Sequence, residues 1–295
     1  MAGGALVGVD LGGTKVTVGA VDDGHLRAVH SRPVSSSAAQ EVVVEEVCEA
    51  IAEVFGDGVM GIGCAVPSVV DTTKGVVFDV ENIPSWKRVP LRALLEERFR
   101  VPAFINNDAN AFAVGEHAFG QGRAFSNLVG ITLGTGLGAG VIIGGRLYSG
   151  GNCGAGEIGS IPYRDGTIED YCAGGFFTRQ CGDRGEVLQQ RARAGDDEAL
   201  SCFARFGREL AHAIAVVLFA FDPEAIILGG SVSSAFDLFA SSMWAGLESF
   251  PYRHVVEKVV ISRSEMEHVA VLGAAALYLD ATGAGGGRPV TEERR

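Results

Sequence analysis

The stretch VGVDLGGTKVTVGAV, residues 7–21, decides how the chain is read. An apolar run ends at Asp10, breaks into Gly12-Gly13-Thr14 and resumes as Val16, Val18 and Ala20. Alternating apolar positions on either side of a glycine break predict two strands, 5–10 and 16–21, closing on a tight turn. A hairpin that needs positive φ would use glycines there. Glycines also let backbone N–H groups come close to an anion, and a threonine beside them adds a hydroxyl donor.

The same grammar returns at 128–143, where LVGITL, GTGLGAG and VIIGG follow one another and lead into Arg146-Leu147-Tyr148. Two bare turns, each next to a threonine and flanked by strands, point to two related lobes that hold a phosphate chain between them. Other phosphate motifs do not fit. Residues 134–139, GTGLGA, spell the dinucleotide pattern, but a strand follows where that motif needs a helix. There is no GxxxxGK[ST] stretch and there are no HRD or DFG signatures.

The 295 residues are 47 % hydrophobic and 20 % charged, which describes a soluble globular protein with one large domain or two lobes. A net charge of −12 with no basic block argues against nucleic acid as the main partner. The N-terminus lacks the pattern of an export signal, and the longest apolar run, Ile214 to Phe221, is too short to span a bilayer, so a cytoplasmic protein without membrane contact is expected. Cysteines 48, 64, 153, 172, 181 and 202 show no CxxC and no paired Cys/His spacing, and they read as free thiols of a reducing compartment.

Along the chain, helical spacing covers 38–55, and Gly56-Asp57-Gly58 ends it. A strand follows over 59–66, Pro90 opens a helix over LRALLEERF, and a strand runs to Ile105. The polar triplet Asn106-Asn107-Asp108 then precedes a helix from about Ala109. Residues 149–182 read as loop, Leu200 to Phe221 as a long amphipathic helix, AIILGG and HVVEKVVIS as strands, and 268–281 as a final alanine-rich helix. Asp108 stands where an N-cap would, and it would stay ionised beside the positive end of the helix, placed to accept a proton as a general base.

Five stretches, DLGGTK (10–15), INNDANAFAVGE (105–116), LGTGLGAG (133–140), GAGEIG (154–159) and ILGGSVS (227–233), resemble the ROK sugar kinases in order and over nearly the whole chain. The resemblance implies an α/β, two-lobed actin-like ATPase (ribonuclease H-like) fold of the hexokinase–Hsp70–actin superfamily. The expected lobes are 1–107 with the helix 268–282, and 108–267, with 283–295 a disordered tail. It implies ATP and Mg²⁺ as cofactors, with Asp10 holding the metal through water. Gly12, Gly13, Thr14 and Lys15 would grip phosphates with Gly134, Thr135 and Gly136, and Gly229 and Gly230 would line the adenosine pocket. Asp108 becomes the catalytic base, and Asn82, Asn107, Asp108, Glu157 and Glu169 the sugar contacts, with Trp86 a candidate pocket wall.

Two departures from the family pattern bear on the substrate. Ser160 stands where most ROK kinases carry a histidine, and YRDGTIEDYCAGG lacks the cysteines of the family's zinc loop, so no zinc is expected. The reaction implied is phosphorylation of O6 of an aldohexose, with glucose first and N-acetylhexosamines or mannose as alternatives. A homodimer is usual in the family. A sugar-responsive repressor would carry a DNA-binding module ahead of the DxGGT stretch, and here that stretch starts at Asp10. A non-catalytic, actin-like protein would have no reason to keep the NND triplet with Glu157 and Glu169.

Overall fold

Val7, Val9 and Leu11 alternate inward along one strand, Val16 and Val18 along its neighbour, and these five side chains are buried. Ala5–Leu11 and Lys15–Asp22 therefore pair antiparallel, with Val9 opposite Val18 and Leu11 opposite Val16. In this computed structural model, which describes residues 4–284, they belong to a five-stranded sheet. From edge to edge its strands are His25–Pro33, Lys15–Asp22, Ala5–Leu11, Val59–Val66 and Ala103–Asn107. The first three are antiparallel and the last two join in parallel.

The second sheet repeats this plan. Arg146–Leu147, Leu137–Ile143 and Leu128–Leu133 are antiparallel, and Ala225–Gly229 and Val260–Arg263 add in parallel. The duplication seen in the two glycine hairpins thus extends to whole ribonuclease H-like sheets, and the pair makes an actin-like ATPase fold.

Two helices join the sheets. Asp108–Phe119 continues directly from the last strand of the first sheet and packs on the second. Val269–Thr282, apolar around most of its circumference and buried from Val271 to Leu277, returns to pack on the first. It lies so close that a Cβ on Gly8 or Gly63 would overlap the carbonyls of Val271 or Ala274. The two helices cross with backbones in contact, since a Cβ at Gly115 would stand 2.7 Å from the Gly273 Cα. Each lobe has its own core. Trp86, Leu91 and Ile51 are in the first, and the rings of Phe176, Phe177, Phe203, Phe206 and Phe239 pack together in the second.

Several expectations need correction. HVVEKVVIS forms a strand only over Val260–Arg263, because Val255 and Val256 pack on the core from the short helix Arg253–Val256. Within 149–182 there are helices Ile168–Cys172 and Gly175–Cys181, each too short to show a period. The edge strand His25–Pro33 and the helices Gly185–Arg193 and Phe236–Leu247 were not read from the sequence. Cys181 and Cys202 are joined in a disulfide, with Cα atoms 6.2 Å apart, because the helix ending at Cys181 lies against the long helix Asp197–Phe221. The other four cysteines are free and buried. The tail expected to be disordered lies outside the described residues from 285 on. Among the described residues no helix is long and apolar enough to cross a membrane.

Candidate active site

The junction of the two lobes sets the stereochemistry of the NND triplet. Asn107, not Asp108, caps the helix. Its Oδ1 accepts the N–H groups of Ala109 at 2.8 Å and Asn110 at 3.4 Å, and its Nδ2 donates to the Ser68 carbonyl at 3.5 Å. Asp108 is the first helical residue, and its carboxylate accepts only the adjacent Ala109 N–H, at 2.8 Å. Burial pushes its pKa up, opposed by the backbone N–H groups at the helix start. The side chain is therefore relieved of the capping role and stays open to the cleft on one side while protein surrounds it on the others.

Behind it lies a polar cluster that the sequence reading missed. Asn106 Oδ1 accepts the Asn107 N–H at 2.8 Å, the Asn110 Nδ2 at 2.9 Å and the Cys153 thiol at 3.4 Å. Asn106 and Asn110 are buried; Asn106 belongs to the end of the strand and Asn110 to the first turn of the helix, so no single period marks the pair. Cys153 comes from the distant loop that carries Glu157, and nothing local marks it.

Two further carboxylates, Asp10 and Glu157, lie near Asp108, and a third, Glu169, lies near Glu157. Asp10, at the base of the first hairpin, has its pKa raised to about 6 by burial and then by Asp108, with Lys15 opposing. Glu157 opens to the cleft, yet protein shields its other sides. That shielding, then Asp108 and Glu169, raises its pKa as well. Glu169 accepts the Leu137 N–H at 2.8 Å. Asn82 lies against Gly13, where a Cβ would overlap its side chain, so this contact by itself requires a glycine at 13. Ser160 is exposed at the end of the short turn Ile158–Ser160 that follows Glu157.

Both hairpin tips are tightly closed. The Gly12 N–H donates to the Lys15 carbonyl at 2.9 Å, and the Gly134 N–H to the Gly136 carbonyl at 3.0 Å. The N–H groups of Gly13, Thr14, Thr135 and Gly136 have no protein acceptor among the described residues. They are free to receive anionic oxygens. Beside the second tip is a cavity of about 590 Å³, lined by Gly134, Thr135, Gly174, Phe203, Ser231 and Val232 among others. Gly230, at φ 82°, turns the chain so that Ser231 and Val232 reach it, but neither Gly230 nor Gly229, which is buried against the Phe112 ring, lines it. Trp86 is wholly buried in the first core and walls no pocket.

No three His, Cys, Asp or Glu side chains come together as a metal site among the described residues. The crowded Asp10 and Asp108 carboxylates do fit a cation that arrives with phosphate, because positive charge there would relieve the strain that holds Asp10 near 6.

The ROK family model matches residues 6–281. The chain belongs to the ROK family. Among ROK proteins, the glucokinase of Streptomyces coelicolor is 33 % identical over 270 residues, covering 80 % of this chain and 84 % of that one. The glucokinase of Thermotoga maritima is 30 % identical over 311 residues, covering 94 % and 98 %. A solved ROK glucokinase from Streptomyces griseus, in complex with glucose and AMPPNP, superposes with a TM-score of 0.79 at 30 % identity, over 93 % of this chain and 99 % of that one.

Proposed function

We propose that this ROK protein is an ATP-dependent hexose kinase that transfers the γ-phosphoryl group to O6 of an aldohexose, with glucose the leading acceptor. The observation that carries the reading is Asp108, released from capping by Asn107 and close to Asp10 and Glu157, in a molecule with two hairpin tips that carry unpaired N–H groups. Similarity to glucokinases, one of them solved with glucose and AMPPNP, supports the same choice.

In this reading Asp108 accepts the O6 proton as the oxygen attacks, and its raised pKa makes it a stronger base than an exposed aspartate. Gly12, Gly13, Thr14 and Lys15 on one side, and Gly134, Thr135 and Gly136 on the other, hold phosphate oxygens in line with the acceptor. Gly230 shapes the adenosine end. Asn82, Asn107, Glu157 and Glu169 orient the sugar by accepting from or donating to its hydroxyls. Mg²⁺ bound with the nucleotide supplies charge neutralisation, and Asp10 would hold it through water. The lobes, 1–107 with 268–282 and 108–267, close to keep water from the γ-phosphate. The protein acts as a cytoplasmic homodimer, with no nucleic acid or membrane partner and no zinc.

Acceptance of an N-acetyl group at C2 is the second reading, favoured by the small exposed hydroxyl of Ser160 after Glu157. An ADP-release assay with glucose, mannose, N-acetylglucosamine and N-acetylmannosamine tests both. Glucose is expected to stimulate ATP turnover most. A best rate with an N-acetylhexosamine favours the second reading, and no stimulation by any sugar refutes the kinase.

A further inference from the structure

Glu169 occupies an unexpected place for a residue that orients a sugar. It is the second residue of the helix Ile168–Cys172, whose start is fixed by a capping box between Thr167 and Asp170. From that anchored position its Oε2 accepts the Leu137 N–H at 2.8 Å, on the residue just after the tip Gly134–Gly136. The carboxylate also lies flat against Gly136. A Cβ there would overlap Oε2 and stand 3.1 Å from Cδ. A Cβ at Gly136 would therefore displace the Glu169 carboxylate, whereas at Gly134 a Cβ would meet nothing within 4 Å.

Glu169 thus touches the second hairpin, close to the free N–H groups of Thr135 and Gly136, and faces the shared cleft where it acts on Glu157. We propose that Glu169 is a positioning residue that couples acceptor binding to nucleotide binding. With the sugar place empty, its negative charge lies beside the turn that would receive the triphosphate and repels it. An acceptor that donates hydroxyls to Glu169 spreads and shields that charge while the Oε2 bond keeps the turn in place. Nucleotide then binds more tightly when a polyhydroxyl acceptor is present, and by linkage the acceptor binds more tightly when nucleotide is present. The inference rests on the kinase reading.

Calorimetry with a non-hydrolysable ATP analogue and Mg²⁺, with and without glucose, tests it on the wild type and on Glu169→Gln. The amide oxygen of the variant can still accept from Leu137, so the turn keeps its support while the charge is lost. In the wild type, glucose is expected to tighten analogue binding on the order of tenfold. Glu169→Gln is expected to bind the analogue more tightly than wild type without glucose, and to lose most of the glucose effect. A second variant, Gly136→Ala, pushes the carboxylate off the turn and should also reduce the coupling. Equal coupling in wild type and Glu169→Gln, or weaker analogue binding by Glu169→Gln alone, overturns the proposal and leaves the kinase reading intact. No analogue binding by the wild type overturns both. If no acceptor is found, the comparison without sugar still decides the role of the charge.

Discussion

Replacing Asp10 by Asn should make the protein more stable and, on the proposed mechanism, less active. The carboxyl of Asp10 is moved from 3.8 to about 6 by burial and by Asp108, so the folded protein holds this group's proton more tightly than the unfolded chain does. At about 1.4 kcal/mol per pH unit, ionised Asp10 costs the folded state up to about 3 kcal/mol once the pH exceeds 6. Below 3.8 the group is protonated in both states and the cost vanishes. Wild-type stability at this site therefore falls as pH rises through the window from 3.8 to about 6, and the Asn variant escapes the fall. Urea unfolding of both proteins, without nucleotide and with EDTA, measures this directly. At pH 8 the variant is expected to be more stable by as much as about 3 kcal/mol, with the gap shrinking below pH 6 and nearly gone at pH 4. A gap of constant size across that range, or a wild type more stable at pH 8, refutes the account of a crowded, buried carboxylate.

Asp108→Asn should keep ATP and sugar binding while kcat falls about a thousandfold or more, and steady-state kinetics on the variant checks this. In the wild type, the acid limb of kcat/KM for the sugar should lie above the ordinary aspartate value of about 4, because burial holds the Asp108 proton more tightly and the base must be ionised to act. Metal analysis of the purified protein should find no stoichiometric zinc, and one equivalent per chain would contradict the reading of the 153–182 segment. Gly63→Ala should destabilise by about 3 kcal/mol in urea unfolding, since its Cβ would overlap the Ala274 carbonyl of the helix that closes the first sheet.

What the sequence made legible was whatever short-range pattern controls. The two glycine hairpins, the parallel strands of both sheets and the helices 40–54, 108–119 and 197–221 follow from period and punctuation. Decisions between neighbouring residues were not legible. Asn107 and Asp108 are both good capping residues, and only the dihedral change at 107 decides which one caps and which one is freed. Trp86 reads as a pocket wall from its motif, but it is wholly buried in the same core cluster as Val89, Leu91 and Leu95, which only the fold gathers. Cys181 and Cys202 are 21 residues apart, and their pairing depends on how two helices pack. His25–Pro33 carries the charges and histidines of an edge strand, which hide its alternation.

The packing also assigns Glu157 and Glu169 to the second lobe and Asn82 to the first. Ile158 is buried in the core of the second lobe and a Cβ at Gly156 would overlap the Ala139 carbonyl, so Glu157 between them is fixed to the second sheet, whereas Asn82 lies against Gly13 of the first hairpin. Glu169 is tied to Leu137 and so to the second hairpin. The helices that join the lobes touch backbone to backbone at Gly115 and Gly273, whereas Gly8 and Gly63 hold one of them tightly on its sheet. A change in lobe angle is therefore easiest at the crossing and hardest within either lobe. Such a change alters the separation of Asn82 from Glu157 and Glu169. A ligand that engages Asn82 and these carboxylates together would consequently hold the angle at which the two hairpins face each other. The acceptor then helps to assemble the site that phosphorylates it, and water, which spans no such gap, does not.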